Sequence, residues 1–78
     1  MSSLQAGPVL VESSLLASVD YDAGAFVLQL QFRSGATYCY FDVPRTLYEA
    51  LLTAPPKGSF FNRLIKGRFP YALVKTQL

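Results

Sequence analysis

The stretch Phe26-Val27-Leu28-Gln29-Leu30-Gln31-Phe32-Arg33-Ser34-Gly35-Ala36-Thr37-Tyr38-Cys39-Tyr40-Phe41 decides the fold of this 78-residue chain. Phe26, Leu28, Leu30 and Phe32 alternate with Val27, Gln29, Gln31 and Arg33, the period of a strand with one buried face. Arg33-Ser34-Gly35 is a turn signal, and residues 36–41 that follow are rich in β-formers. The length of the turn sets which way the tyrosines point. A two-residue turn pairs Gln31 with Tyr38 and puts Tyr38 and Tyr40 on the glutamine face. A three-residue turn with Gly35 in the left-handed region pairs Leu30 with Tyr38 and Leu28 with Tyr40. Two-residue hairpins favour Asn-Gly or Asp-Gly, whereas Ser-Gly suits the three-residue form, so the second register is expected. It collects Gln29, Gln31, Thr37 and Cys39 on an outer face that is polar and neutral.

Upstream, residues 14–22 read as a strand, closed by the turn Asp22-Ala23-Gly24. Leu16 and Val19 are three apart, which breaks alternation; a bulge near Ala17-Ser18 restores Leu16, Val19 and Tyr21 to one face. Downstream, Pro44 suits a first helical turn with Asp42 near enough to help cap it. Leu47, Tyr48, Leu51 and Leu52 form an apolar face that Pro55-Pro56 terminates. A second helix is expected from Gly58 or Ser59 to Lys66, with Phe61, Leu64 and Ile65 as its stripe and Gly67 as its stop. Residues 69–74 return as a short extended segment. Residues 1–10 read as a loosely ordered leader and residues 11–78 as one domain. The expected class is α+β: a three-stranded antiparallel meander packed against two short C-terminal helices.

Composition narrows the chemistry. The chain has no histidine and one cysteine, Cys39, so no Ser-His-Asp or Cys-His pair can form. A zinc site lacks its ligands, an internal disulfide lacks its partner, and no cofactor is called for. Asp20 and Asp22 share one side of a strand but are too few to hold a hard cation. The longest charge-free stretch past the leader is short and contains glutamines, so the reading is a cytoplasmic chain without a membrane span. Residues 1–50 hold five acids and two cations, and residues 51–78 hold five cations and no acid. The net charge of +2 therefore averages an acidic front against a basic tail.

The ordered series Val11, Ser13-Ser14, Leu16, Val19, Tyr21-Asp22, Gly35, Tyr38-Cys39-Tyr40 and Val43-Pro44 resembles the KTSC domain family. The resemblance continues through Tyr48, Leu51-Leu52, Ala54, Lys57-Gly58, Phe61-Asn62, Ile65-Lys66 and Phe69. That family occurs at the C-terminus of some lysyl-tRNA synthetases and as stand-alone bacterial proteins. It has no established activity, and its attachment to a tRNA enzyme implies an RNA role by association only. Two departures stand out. Pro56 sits where the family usually has serine, and Phe60 and Phe69 where tyrosine is common, which removes a hydroxyl and two phenols.

Three groups of residues are candidates. Lys57, Arg63, Lys66 and Arg68 cluster on and around the second helix and could neutralise phosphates; the same residues also read as a solvated face that keeps an apolar chain soluble. Tyr38 and Tyr40 could stack on bases, although the expected register sends them under the helices with only their hydroxyl tips outward. Ser13, Ser14 and Asn62 read either as a ligand rim or as residues that tie down strand ends through backbone hydrogen bonds. The leading expectation is a non-enzymatic binding module that contacts RNA or tRNA through Lys57, Arg63, Lys66 and Arg68. The alternative is a protein-interaction module, docking on a partner or self-associating, because the apolar tail around Phe60, Phe69, Tyr71, Leu73 and Val74 exceeds what so small a chain hides.

Overall fold

The central hairpin takes the longer turn. β3 (Val27–Phe32) and β4 (Ala36–Tyr40) pair antiparallel with Leu28 opposite Tyr40 and Leu30 opposite Tyr38. Gly35 has φ 104°, and its amide donates to the Phe32 carbonyl at 3.0 Å. A side chain at that φ is strained, so the glycine holds the register. The computed structural model describes residues 9–54 and 56–76; the expectation for residues 1–8 lies outside the described residues.

β2 (Leu16–Asp22) pairs with β3, and the bulge falls at Ala17, between the pairs Leu16–Phe32 and Ser18–Gln31. Leu16, Val19 and Tyr21 are all buried as a result. Phe26 departs from the alternation. The Asp22 carboxylate accepts the amides of Gly24 and Ala25, and the chain leaves this turn through a left-handed Phe26, φ 58°. Its ring is therefore half exposed instead of joining Leu28 and Leu30, while its carbonyl accepts the Val43 amide at 2.9 Å.

Among the described residues the sheet has five strands, not three, in the order β1-β2-β3-β4-β5, every neighbouring pair antiparallel. β1 (Val9–Leu10) adds to β2, with Val9 opposite Val19. β5 (Tyr71–Thr76) adds to β4, with Tyr71 opposite Tyr40 and Leu73 opposite Tyr38. The helices α1 (Arg45–Thr53) and α2 (Lys57–Leu64) thus lie between β4 and β5 rather than at the C-terminus. Tyr71, Ala72, Leu73 and Val74 are all exposed, so neither face of β5 carries the burial that produces an alternating pattern.

Both helices begin on proline N-caps in extended conformation, Pro44 and Pro56. Asp42 does not cap α1; it takes the left-handed turn out of β4, φ 63°, two residues ahead of the cap. Leu51 of α1, Phe61 of α2 and Ile65 just beyond it bury against Leu16, Val19, Leu28, Leu30 and Tyr40. Tyr21 closes the other end of this core: its ring stacks on Tyr48 at 4.8 Å, and its hydroxyl donates to the buried Val43 carbonyl. No helix among the described residues is long and apolar enough to cross a membrane.

Candidate functional site

Tyr38 and Tyr40 stand two apart on β4 and so project from one face, and β5 brings Tyr71 opposite Tyr40. The three rings lie in mutual reach, with centroids 5.7 Å apart for Tyr38–Tyr71, 5.6 Å for Tyr40–Tyr71 and 6.4 Å for Tyr38–Tyr40. Phe61 from α2 meets Tyr40 edge-on at 5.6 Å, and Phe32 from β3 meets Tyr38 edge-on at 5.7 Å. These five rings line a cleft of about 390 Å³ between the sheet and the end of α2. Asn62, Lys66 and Gly67 line it on the helix side, and Leu15 borders it from the segment before β2. The tyrosines differ in depth: Tyr40 is 5% exposed, Tyr38 is half-buried, and Tyr71 is 60% exposed.

A second cleft, of about 470 Å³, adjoins the first. Ser13 and Ser14 line it from the segment before β2, and Ser59, Asn62 and Arg63 from α2. Leu15 and Asn62 line both clefts, which makes them one continuous surface. Gly58 sets its width, because a Cβ there would sit 3.2 Å from the Leu15 Cβ, closer than packed carbons rest. The segment before β2 is held from both directions. The Ser13 hydroxyl accepts the amides of Leu15 and Leu16, each at 3.1 Å, and the Arg33 guanidinium donates to the carbonyls of Ser13 and Val11. Ser13 therefore has a structural task whatever else it does.

The fold brings Ser13, Ser14, Tyr38, Tyr40, Asn62, Arg63 and Lys66 together around this surface, and leaves two of the expected cations off it. Lys57 turns its ammonium back to the Ala54 carbonyl at 3.2 Å, and Arg68 turns its guanidinium to the Arg63 carbonyl at 2.9 Å. Lys57 thereby engages the C-cap carbonyl of α1, and Arg68 a carbonyl in the last turn of α2. Lys66 lies past the end of α2 rather than on it, where its amide and that of Ile65 share the Phe61 carbonyl. Tyr71 is the site residue that sequence reasoning missed. Its signal was the aromatic itself, and its place depends on a strand pairing that crosses both helices.

Among the described residues, no acid lines either cleft. Asp20 and Asp22 line a separate depression with Val27 and Gln29, and the described residues contain no cluster of three or more groups that could hold a metal. Burial, helped by the neighbouring Tyr38 and Tyr71, raises the Tyr40 phenol above the ordinary tyrosine value, so it remains a hydrogen-bond donor at neutral pH. Burial, with Asp20 adding to it, raises the Cys39 thiol as well, the opposite of the shift that activates a cysteine. The Cys39 Sγ lies 3.5 Å from the Gln29 Oε1 on the outer face.

The sequence pattern of the KTSC domain matches residues 12–69, which include both clefts except Tyr71. The chain belongs to the KTSC domain family. A protein of Tsukamurella paurometabola is 42% identical over 59 residues, covering 76% of this chain and 88% of that protein. A lysine–tRNA ligase of Trichormus variabilis is also 42% identical over 60 residues, covering 77% of this chain but 11% of the ligase, so this KTSC domain corresponds to a small part of that enzyme. The crystal structure of a KTSC domain protein from Yersinia pestis superposes with a TM-score of 0.85 at 35% identity, over 87% of this chain and 96% of that one. The KTSC fold thus stands alone in some proteins and forms part of a synthetase in others.

Proposed function

We propose that this KTSC domain is a non-enzymatic, cytoplasmic binding module that contacts RNA with the surface formed by its two clefts. One observation carries the reading: an aromatic cleft shares its border with Arg63 and Lys66, both exposed and, among the described residues, unpaired with any acid. Single-stranded RNA asks for this combination, a ring on which an unstacked base can rest and cations spaced along the backbone. Tyr71 supplies the exposed ring. Lys57 and Arg68 drop out of the interface because their head groups are engaged with helix-end carbonyls. Relatives that are lysine–tRNA ligases support tRNA as the RNA in question, by association. Fluorescence anisotropy with tRNA and with single-stranded RNA, at about 50 and 200 mM salt, tests the reading. Binding that weakens steeply with salt is expected; no binding at the lower salt, or binding indifferent to salt, overturns it.

The edge of β5 favours a second reading, a protein-interaction module. β5 ends the sheet with Tyr71, Leu73 and Val74 each more than half exposed, and an edge of that character is a template for another strand. Sedimentation equilibrium decides: a dimer abolished by Val74→Lys supports this reading, and a monomer at about millimolar concentration removes its homodimeric form.

A further inference from the structure

We propose that the aromatic cleft is a seat for one phosphorylated nucleotide, its base among the rings of Tyr38, Tyr40 and Tyr71 and its phosphate at Lys66. The inference rests on the RNA reading above and sharpens it from a surface to a single recognised residue of the ligand.

Four observations converge. The cleft, at about 390 Å³, is at the small end of sites that enclose small molecules, which suits one nucleotide rather than a run of stacked bases. Its aromatic lining comes from three strands and a helix, and four of its rings (Phe32, Tyr38, Tyr40 and Phe61) are held edge to face before any ligand arrives. Tyr40 is 5% exposed as a residue and lines this cleft, and among the described residues its hydroxyl makes no hydrogen bond. A phenol at the floor of a cleft without a protein acceptor offers its proton to whatever occupies the cleft. The lining, finally, combines Asn62, which can donate and accept, with Lys66, which can only donate, and includes no acid.

Chemistry selects among anionic aromatic ligands. A phosphotyrosine side chain would bring a ring and a phosphate, but its ring edge carries no hydrogen-bonding atoms to answer Tyr40 and Asn62. A nucleobase edge carries carbonyl oxygens, ring nitrogens and amino groups. A ribose phosphate alone would meet Lys66 and leave the rings and the Tyr40 hydroxyl unused. The cleft therefore asks for base and phosphate on one molecule.

The full chain lacks tryptophan and has five tyrosines, three of them in this cleft, so tyrosine fluorescence together with amide chemical-shift mapping reports on it directly. The probes are AMP, GMP, CMP, UMP, ribose 5-phosphate, inorganic phosphate and phosphotyrosine. Saturable binding of at least one mononucleotide, mapped to Tyr38, Tyr71 and Lys66 and at least about tenfold tighter than ribose 5-phosphate, is expected. Tyr40→Phe, which keeps the ring in the core, should weaken that binding about fivefold, and Lys66→Gln by a similar factor, with circular dichroism unchanged. No saturable binding by any mononucleotide up to about 20 mM overturns the seat, as does ribose 5-phosphate binding equally well or phosphotyrosine binding tightest. The two readings fail separately. RNA binding without mononucleotide binding removes the seat and keeps the RNA surface; mononucleotide binding without RNA binding keeps the seat and removes the RNA surface.

Discussion

Tyr40 and Tyr71 face each other across the β4–β5 ladder, their centroids 5.6 Å apart and their planes inclined by 31°, yet one is 5% exposed and the other 60%. The pair joins the core to the surface. Truncating its two members should therefore have opposite consequences. Tyr40→Ala is expected to cost about 3–5 kcal/mol, a large share of what a small domain holds. Tyr71→Ala should cost under about 1 kcal/mol while weakening RNA binding by a stacking contribution of about 1–3 kcal/mol. Urea unfolding followed by circular dichroism, with anisotropy on the folded variants, separates the two.

Four of the five cations in residues 51–78 should divide into two classes. Arg63→Gln and Lys66→Gln are each expected to lower the slope of log affinity against log salt by about 1, since each removes one phosphate contact. Lys57→Gln and Arg68→Gln should leave the slope unchanged, because those side chains already donate to the Ala54 and Arg63 carbonyls. A larger effect from Lys57 or Arg68 than from Arg63 or Lys66 would place the interface elsewhere.

At Gly58 α2 packs closely on Leu15, in the segment leading into β2. Gly58→Val is expected to destabilise the domain by about 1–3 kcal/mol, since its first carbon alone would stand 3.2 Å from the Leu15 Cβ. Leu15→Ala keeps that Cβ but removes the Cδ2 standing 3.6 Å away, so the double variant should lose less than the sum of the two single losses, a coupling that thermal unfolding of the four-member cycle measures.

The alkaline limb of stability should carry the signature of buried phenols. Tyr21, Tyr40 and Tyr48 are all raised above the ordinary tyrosine value, burial being the first cause in each. The folded state therefore holds its phenolic protons more tightly than the unfolded chain does. Their contribution is complete below the unfolded value of about 10 and is lost as pH climbs through it toward the folded values. Urea midpoints should be flat from pH 7 to about pH 9 and fall beyond about pH 10; Tyr40→Phe should reduce that fall. A midpoint that rises in this range contradicts the assignment.

Much of the architecture was written locally. Ser34-Gly35 pointed to the register that puts Tyr38 against Leu30, and the three-residue gap from Leu16 to Val19 marked the bulge at Ala17. Pro44, Pro55-Pro56 and Gly67 bracketed two helices to within two residues at each end. Phe26 was misplaced because alternation treats every position of a strand alike, whereas the Asp22 turn uses a left-handed residue before the strand starts.

The candidate site was legible as a set of residue types and not as a place. Tyr38 and Tyr40 were visible as neighbours on one strand, and Arg63 and Lys66 as neighbours three apart. Residue types alone do not say that Lys57 and Arg68 bend back to helix-end carbonyls, since that choice depends on which carbonyls lack partners once α1 and α2 have both formed.

The sequence by itself determined the α+β class, the hairpin register, the bulge, the two helices and the polar outer face, because each rests on the spacing of residues within a turn or two of one another. Only the tertiary structure decided that the sheet has five strands, that Tyr71 joins Tyr38 and Tyr40, and that Ser13-Ser14 share a surface with Asn62 and Arg63. These are pairings between segments far apart in the chain. β5 carries no buried face to announce itself, and the closeness of Gly58 to Leu15 is a matter of how two finished elements pack.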